Sequence, residues 1–263
     1  MSPVAARNNV HLYGEGKPSM VFAHGLGCDQ SMWRFVAPAF AADFQTVLFD
    51  HVGAGGSDLK AYDTMKYGSL SGYVDDLIEI IRDLKLTNTV FVGHSVSCII
   101  GILASIKAPE LFDSLVLVGP SPRYIDDAAY HGGFSTEDIE ELLQSMDDNY
   151  LGWSAAMAPV IMGNPDRPEL AAELATLLCR TDPALAKAFT RVTFTSDNRA
   201  DLPRVNTRTL ILQCSGDVIA SSQVGAFVHR SIAGSTLVQM RATGHCPHLS
   251  APDETIAAIR AFV

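Results

Sequence analysis

Residues 90–101 read VFVGHSVSCIIG. A run of β-formers ends at Val92, Gly93-His94-Ser95 follows without a spacer, and a helix-like apolar run begins at once. The serine must therefore occupy a very sharp strand-to-helix turn. Gly93-His94-Ser95-Val96-Ser97 matches the nucleophile elbow G-x-S-x-G except at its last position, where Ser97 replaces glycine by another small residue. Small neighbours are needed because the turn brings backbone against backbone, and its strain projects the hydroxyl toward a substrate. The alternative is a serine that caps the helix beginning at Val96. The pentapeptide by itself leaves both readings open, and the residues downstream favour the nucleophile.

A serine hydroxyl attacks at neutral pH only if a base removes its proton. His245 is the best placed of the eight histidines. In TLVQMRATGHCPHLS a last strand and a loop deliver Gly-His ahead of a C-terminal helix. The base needs an orienting carboxylate, and Asp217 follows TLILQCSGD, a strand that ends in a glycine turn. The chain order Ser95, Asp217, His245 is the one expected for an elbow on an open α/β sheet. An oxyanion needs donors fixed in advance, and FAHGLGCDQ places a His24-Gly25 turn after the first clear strand. This assigns the backbone amides of Leu26 and Val96 to the oxyanion hole. His24 is expected to brace that loop, His94 to pack under the elbow, and His248 to be structural.

The strand-rich runs 20–23, 46–49, 90–92, 115–118, 210–212 and 237–240 are mostly apolar throughout, as strands covered on both faces would be. Helical patterns separate them, for example Leu70, Tyr73, Val74, Leu77, Ile81 and Leu84. The alternation predicts an α/β fold with a mostly parallel sheet wrapped by helices. It stops between Val118 and Leu210, where only helical patterns occur. Ser135-x-x-Asp138 resembles a capping box, and Asp182-Pro183 opens another helix. Residues 121–205 are thus expected to form a helical cap inserted into one domain spanning 1–263.

With 48% hydrophobic residues in 263, the chain can bury a large core. Its formal net charge of −10, with 19 scattered Lys and Arg, argues against a nucleic-acid partner. Residues 1–12 lack the apolar core of a signal peptide, and no internal run is long enough to span a bilayer, so a cytoplasmic protein without membrane association is expected. Five dispersed cysteines without a CxxC pair read as reduced, mostly buried thiols. His245-Cys246-Pro247-His248 has no second ligand pair, so no metal is expected. DHVGAGGSD from Asp50 half-resembles a dinucleotide loop, but Asp58 stands at its third glycine position and would repel a pyrophosphate. No cofactor is expected.

FAHGLGCDQSMW, LFDHVGAGGSDL, FVGHSVSCIIG, LASI, PELF, LVGPSPRY, NPDRPE, LILQCSGDVIA and GHCPHLSAPDETI together resemble the RsbQ subgroup of the α/β-hydrolases, bacterial relatives of the plant karrikin and strigolactone receptors. The similarity runs along almost the whole chain. It implies an α/β-hydrolase fold with a four-helix, V-shaped cap over a buried, largely apolar pocket. Ser95, Asp217 and His245 fall on the family's triad, and Leu26 and Val96 on its oxyanion amides. The pocket positions it implies are Tyr124, Phe134, Ile139, Leu142, Trp153, Met157, Phe189, Phe194 and Val218. For Phe189, helix packing is an equal alternative. Leu26 and Met157 stand where close relatives often have phenylalanine, which alters pocket shape. The implied activity is a serine hydrolase for small, mainly apolar esters or lactones. The alternative is a signalling protein that binds or slowly hydrolyses a small hydrophobic ligand and activates a PAS-domain phosphatase.

Overall fold

The computed structural model describes residues 2–14 and 18–263; Met1, the first residue of the N-terminal stretch read above, lies outside them. The strands are β1 (His11–Tyr13), β2 (Ser19–Ala23), β3 (Gln45–Phe49), β4 (Thr89–His94), β5 (Phe112–Val118), β6 (Arg208–Ser215) and β7 (Thr236–Thr243). They form a seven-stranded sheet in the order β1-β3-β2-β4-β5-β6-β7. All neighbours are parallel except β1 and β3. This is an α/β-hydrolase fold. Six strands coincide with the apolar runs of the sequence, each extended at one or both ends. The short edge strand β1 was not anticipated, because its three residues are all exposed and show neither alternation nor an apolar run.

Apolar runs that lack alternation arise because both sheet faces are covered. Val21, Val47, Phe49, Phe91, Leu115, Leu117 and Ile211 point to one face, which α2 (Leu70–Asp83) and α3 (Val96–Lys107) cover. Met20, Phe22, Leu48, Val90, Val92, Val116, Leu210 and Leu212 point to the other, against Trp33, Val36, Phe40 and Ile259. α3 is apolar nearly all round because it is sandwiched between the sheet and α2. The remaining core helices are α1 (Pro3–Arg7), α8 (Ser222–Ser231), α9 (Pro247–Ser250) and α10 (Pro252–Arg260).

Between β5 and β6 the chain forms α4 (Thr136–Asp148), α5 (Tyr150–Met162), α6 (Pro168–Arg180) and α7 (Pro183–Thr195). Both helix starts read from the sequence are present. Ser135 and Asp138 make the reciprocal capping box, and Asp182 Oδ1 accepts from the amides of Ala184 and Leu185. α5 packs on α6 through Ala158, Met162, Leu174, Leu177 and Leu178, while α4 packs on α7 and α5. At the neck of this insertion Arg123 pairs with Asp197 at 2.8 Å, joining the chain that enters to the chain that leaves. Arg199 also binds Asp197, at 2.7 Å, and the guanidiniums hold that carboxyl down at about 2. Among the described residues no helix is long and apolar enough to cross a membrane. Cys28, Cys98, Cys214 and Cys246 are buried and Cys179 is exposed, all as free thiols.

Candidate active site

β4 lies in the middle of the sheet, so the turn at its carboxyl end faces the crevice where open α/β sheets bind ligands. Ser95 sits on that turn at φ 57° and ψ −123°, a left-handed backbone that a non-glycine residue rarely adopts. Its side chain makes no capping bond to α3, so the hydroxyl is free of the role that the alternative reading gave it. Gly93 is required here: a Cβ would come within 2.7 Å of the Phe91 ring and 2.8 Å of the Ser97 carbonyl. The Ser95 amide donates to the Val118 carbonyl at 2.9 Å, which fixes the turn to the end of β5.

The Ser95 Oγ lies 2.8 Å from His245 Nε2, and His245 Nδ1 lies 2.8 Å from Asp217 Oδ2. The other carboxylate oxygen accepts from the amides of Ile219 at 2.8 Å and Ala220 at 3.0 Å, so the loop after β6 fixes its orientation. With Nδ1–H donated to Asp217, Nε2 carries the lone pair that faces the serine proton. The backbone of His245 is held from two sides: its amide donates to Ile161 O at 2.9 Å, and its carbonyl accepts from His94 Nε2 at 2.8 Å. Behind it lie the rings of His94 and His248: His94 is tilted against His245 and His248, and His248 stacks on Trp33. Burial keeps His94 well below the ordinary imidazole range and His248 down at about 3. Both are therefore neutral beside the His245 ring. In the H-C-P-H stretch both ring nitrogens of His245 are engaged, whereas neither ring nitrogen of His248 has a partner among the described residues.

A second serine–histidine contact, His51 Nε2 to Ser97 Oγ at 2.7 Å, is a brace and not a second relay. Ser97 donates its proton to the His24 carbonyl at 2.5 Å, so it accepts from His51, whose Nδ1 meets no carboxylate. Ser97 thus ties the elbow to His24, the start of the loop that holds Gly25. His24 braces the same loop, with Nδ1–H on the Gly25 carbonyl at 2.8 Å and Nε2 accepting from the His51 amide at 3.1 Å. The loop rests directly on the elbow: a Cβ at Gly25 would lie 2.5 Å from His94 Nδ1 and 3.3 Å from Ser95 Cβ. Next along the two segments come the amides of Leu26 and Val96, which find no acceptor among the described residues. The Asp50 loop is closed by its own carboxylate, which accepts from Gln30 N, Gly56 N and Asn9 Nδ2 at 2.7–2.8 Å.

Above Ser95 and His245 lies a cavity of about 60 Å³. Leu26, Cys28 and Cys246 line its floor, and burial pushes the Cys28 thiol up to about 12, so it stays uncharged. Of the nine expected pocket residues, Tyr124, Leu142, Trp153, Met157 and Phe194 line it. Four do not. Phe189 stacks on Tyr73 with ring centroids 4.3 Å apart and packs against His51, below the cavity. Ile139 is buried behind the wall with Leu143, and Phe134 packs edge-on against the outer side of Phe194. Val218 is 53% exposed, because the loop turns Asp217 inward and places Ile219 in the wall instead. Met146, Thr190 and Thr193 line the cavity without having been anticipated. A step of four from Leu142 along α4, and steps of four, three and one from Ala186 through Thr190 and Thr193 to Phe194 along α7, were the available signal.

Comparison with known proteins places these features in context. The chain matches the model of the Alpha/beta hydrolase family over residues 20–258. It is 39% identical over 253 residues to the Strigolactone esterase RMS3 of Pisum sativum, covering 95% of this chain and 94% of that protein. It is 36% identical over 260 residues to the Karrikin insensitive 2 receptor CA of Petunia hybrida, with coverage of 98% and 96%. Among solved structures, a hydrolase from Oleispira antarctica is 40% identical with a TM-score of 0.96, covering 99% of this chain and 96% of that one.

Proposed function

The chain belongs to the alpha/beta hydrolase family, and from that premise we propose that it is a serine hydrolase of small, mainly apolar esters or lactones. The observation that carries this reading is the hydrogen-bonded series Ser95, His245, Asp217, with both links at 2.8 Å, beneath an apolar cavity. Ser95 Oγ attacks the substrate carbonyl as its proton passes to His245 Nε2. Asp217 holds the ring in the tautomer that can accept and stabilises the imidazolium. The amides of Leu26 and Val96 take the oxyanion of the tetrahedral intermediate. Collapse expels the alcohol oxygen, which receives the proton from His245 and leaves an acyl-Ser95. Water then enters, gives a proton to His245 and attacks the acyl carbon, and the returning proton frees Ser95. For a lactone the alcohol and acid parts leave as one hydroxy acid.

The four helices α4–α7 act as a cap, and the small volume beneath them limits the acyl group. A series of 4-nitrophenyl esters tests this. The highest kcat/KM is expected for acetate to butanoate, with decanoate refused; a maximum at decanoate would contradict the cap and pocket assignment.

A second reading is favoured by a relative whose name is a receptor's, at 36% identity over nearly the whole chain. Here turnover is slow and serves to change the cap surface for a partner, and a PAS-domain phosphatase is the partner class proposed. Recovery of such a phosphatase from the native host, with binding that requires ligand and Ser95, would support it. Rapid turnover of the best small ester without any recoverable partner would leave hydrolysis as the function.

A further inference from the structure

The cavity wall supplied by α7 carries one hydroxyl that the protein does not use. Thr193 lines the cavity, is 2% exposed, and its Oγ1 has no partner among the described residues. Its neighbours on the same helix behave otherwise: Thr190 donates to the Ala186 carbonyl and Thr195 to the Arg191 carbonyl, each at 2.7 Å. That back-bond to the preceding turn is the usual fate of a helical threonine. Thr176 on α6 and Thr255 on α10 make it as well. Thr193 instead keeps its hydroxyl off the helix, in a wall otherwise built there from Leu142, Met146, Ala186 and Phe194. Buried polar groups are nearly always hydrogen-bonded, so an orphaned hydroxyl on a residue that lines a cavity points to a bond made with a ligand atom.

Resting on the hydrolase reading above, we propose that Thr193 is a polar anchor for the substrate. The substrate is then a small ester or lactone with a second oxygen, as ether, carbonyl or hydroxyl, that hydrogen-bonds Thr193 Oγ1 while its scissile carbonyl lies at Ser95. A hydrocarbon of the same shape leaves the hydroxyl orphaned, and sites of this kind discriminate against analogues that lack the bonding atom.

Two isosteric pairs test this by pH-stat. Methyl pentanoate with methyl 3-methoxypropanoate places an ether oxygen in the acyl part, and butyl acetate with 2-methoxyethyl acetate places it in the alcohol part. Thr193→Val keeps the side-chain shape and removes the hydroxyl, whereas Thr193→Ser keeps the hydroxyl. In at least one pair the ratio of kcat/KM for the oxygen member to that for the hydrocarbon member should fall about tenfold in Thr193→Val and recover in Thr193→Ser. The same ratio in all three proteins for both pairs would overturn the anchor. If the wild-type protein hydrolyses none of the four esters, the hydrolase reading has failed instead. The anchor is then read from the Kd ratios of the same pairs, by quenching of Trp153 fluorescence in the cavity wall, with the same two outcomes.

Discussion

Ser97 shows how one departure from a pattern acquires work of its own. Where the elbow pattern has glycine, its hydroxyl joins His24, which directly precedes Gly25 and Leu26, to His51. Ser97→Ala should leave His51 Nε2–H buried without a partner, costing about 1–3 kcal/mol of stability. It should also loosen the Leu26 amide, so kcat falls about tenfold while KM changes little, because the oxyanion is held only after attack. Steady-state kinetics and urea unfolding of the same variant check both. Asp217→Asn should keep the fold, since its carbonyl oxygen can still accept from Ile219 and Ala220. Its amide would then present N–H to His245 Nδ1 and force the wrong tautomer, lowering kcat by roughly 10³–10⁴. The three residues of this series were legible in the sequence because Ser95 falls on the elbow pattern and Asp217 and His245 each follow a strand and a glycine turn. The role of Ser97 was not, because its partners lie 73 and 46 positions away and only the folded turn brings them together.

At the scale of elements, helix starts were legible wherever a cap residue announced them, as at Ser135 and Asp182. Which face of a helix between β5 and β6 meets the cavity was not. On α7 Phe189 was expected either to line the cavity or to pack against a helix; it packs on Tyr73, and Thr190 and Thr193 join Phe194 in the cavity wall. At Val218 a one-residue offset in a loop exchanged an inward side chain for an outward one, and no periodicity governs a loop. The outer face of α4 carries exposed Glu137, Asp138, Glu140, Glu141, Asp147 and Asp148. Some of these are engaged locally, with Asp147 paired to Lys187 and Asp138 in the capping box. Glu137, Glu140 and Glu141 are the residues to reverse. Changing all three to lysine should leave hydrolysis of a small ester within about twofold, because water screens charges on an exposed face. Under the signalling reading the same change should weaken binding of a phosphatase with a basic surface and flatten the salt dependence of that binding in a titration.

The whole molecule carries an acid sensitivity that no single element reveals. His51, His94 and His248 are all fully buried, and burial holds each below the ordinary imidazole value, His248 at about 3. Each is neutral in the folded protein and takes up a proton in the unfolded chain below about pH 6.5. The unfolded state therefore binds more protons, and stability, complete above pH 6.5, is lost as the pH falls from there toward the folded values. Each group contributes a slope of about 1.4 kcal/mol per pH unit once its unfolded form is protonated. His248→Leu removes one such group, and since neither ring nitrogen has a partner, it sacrifices no hydrogen bond. Urea unfolding at several values between pH 4 and 7 should show a slope shallower by about 1 kcal/mol per pH unit than wild type; an unchanged slope would mean that His248 is charged or solvated when folded. The sequence revealed the sheet, the helical insertion and the chain order of Ser95, Asp217 and His245, since these depend on pattern along the chain. The histidine cluster and the cavity shape depend on packing between distant segments. The claim on which the account rests is that Ser95 is the nucleophile, and its most direct test is reaction of the folded protein with a fluorophosphonate, followed by intact mass and peptide mapping. A single adduct on Ser95, absent from Ser95→Ala and slowed in Asp217→Asn, is the predicted result; labelling at another residue, or none while the protein remains folded, would contradict it.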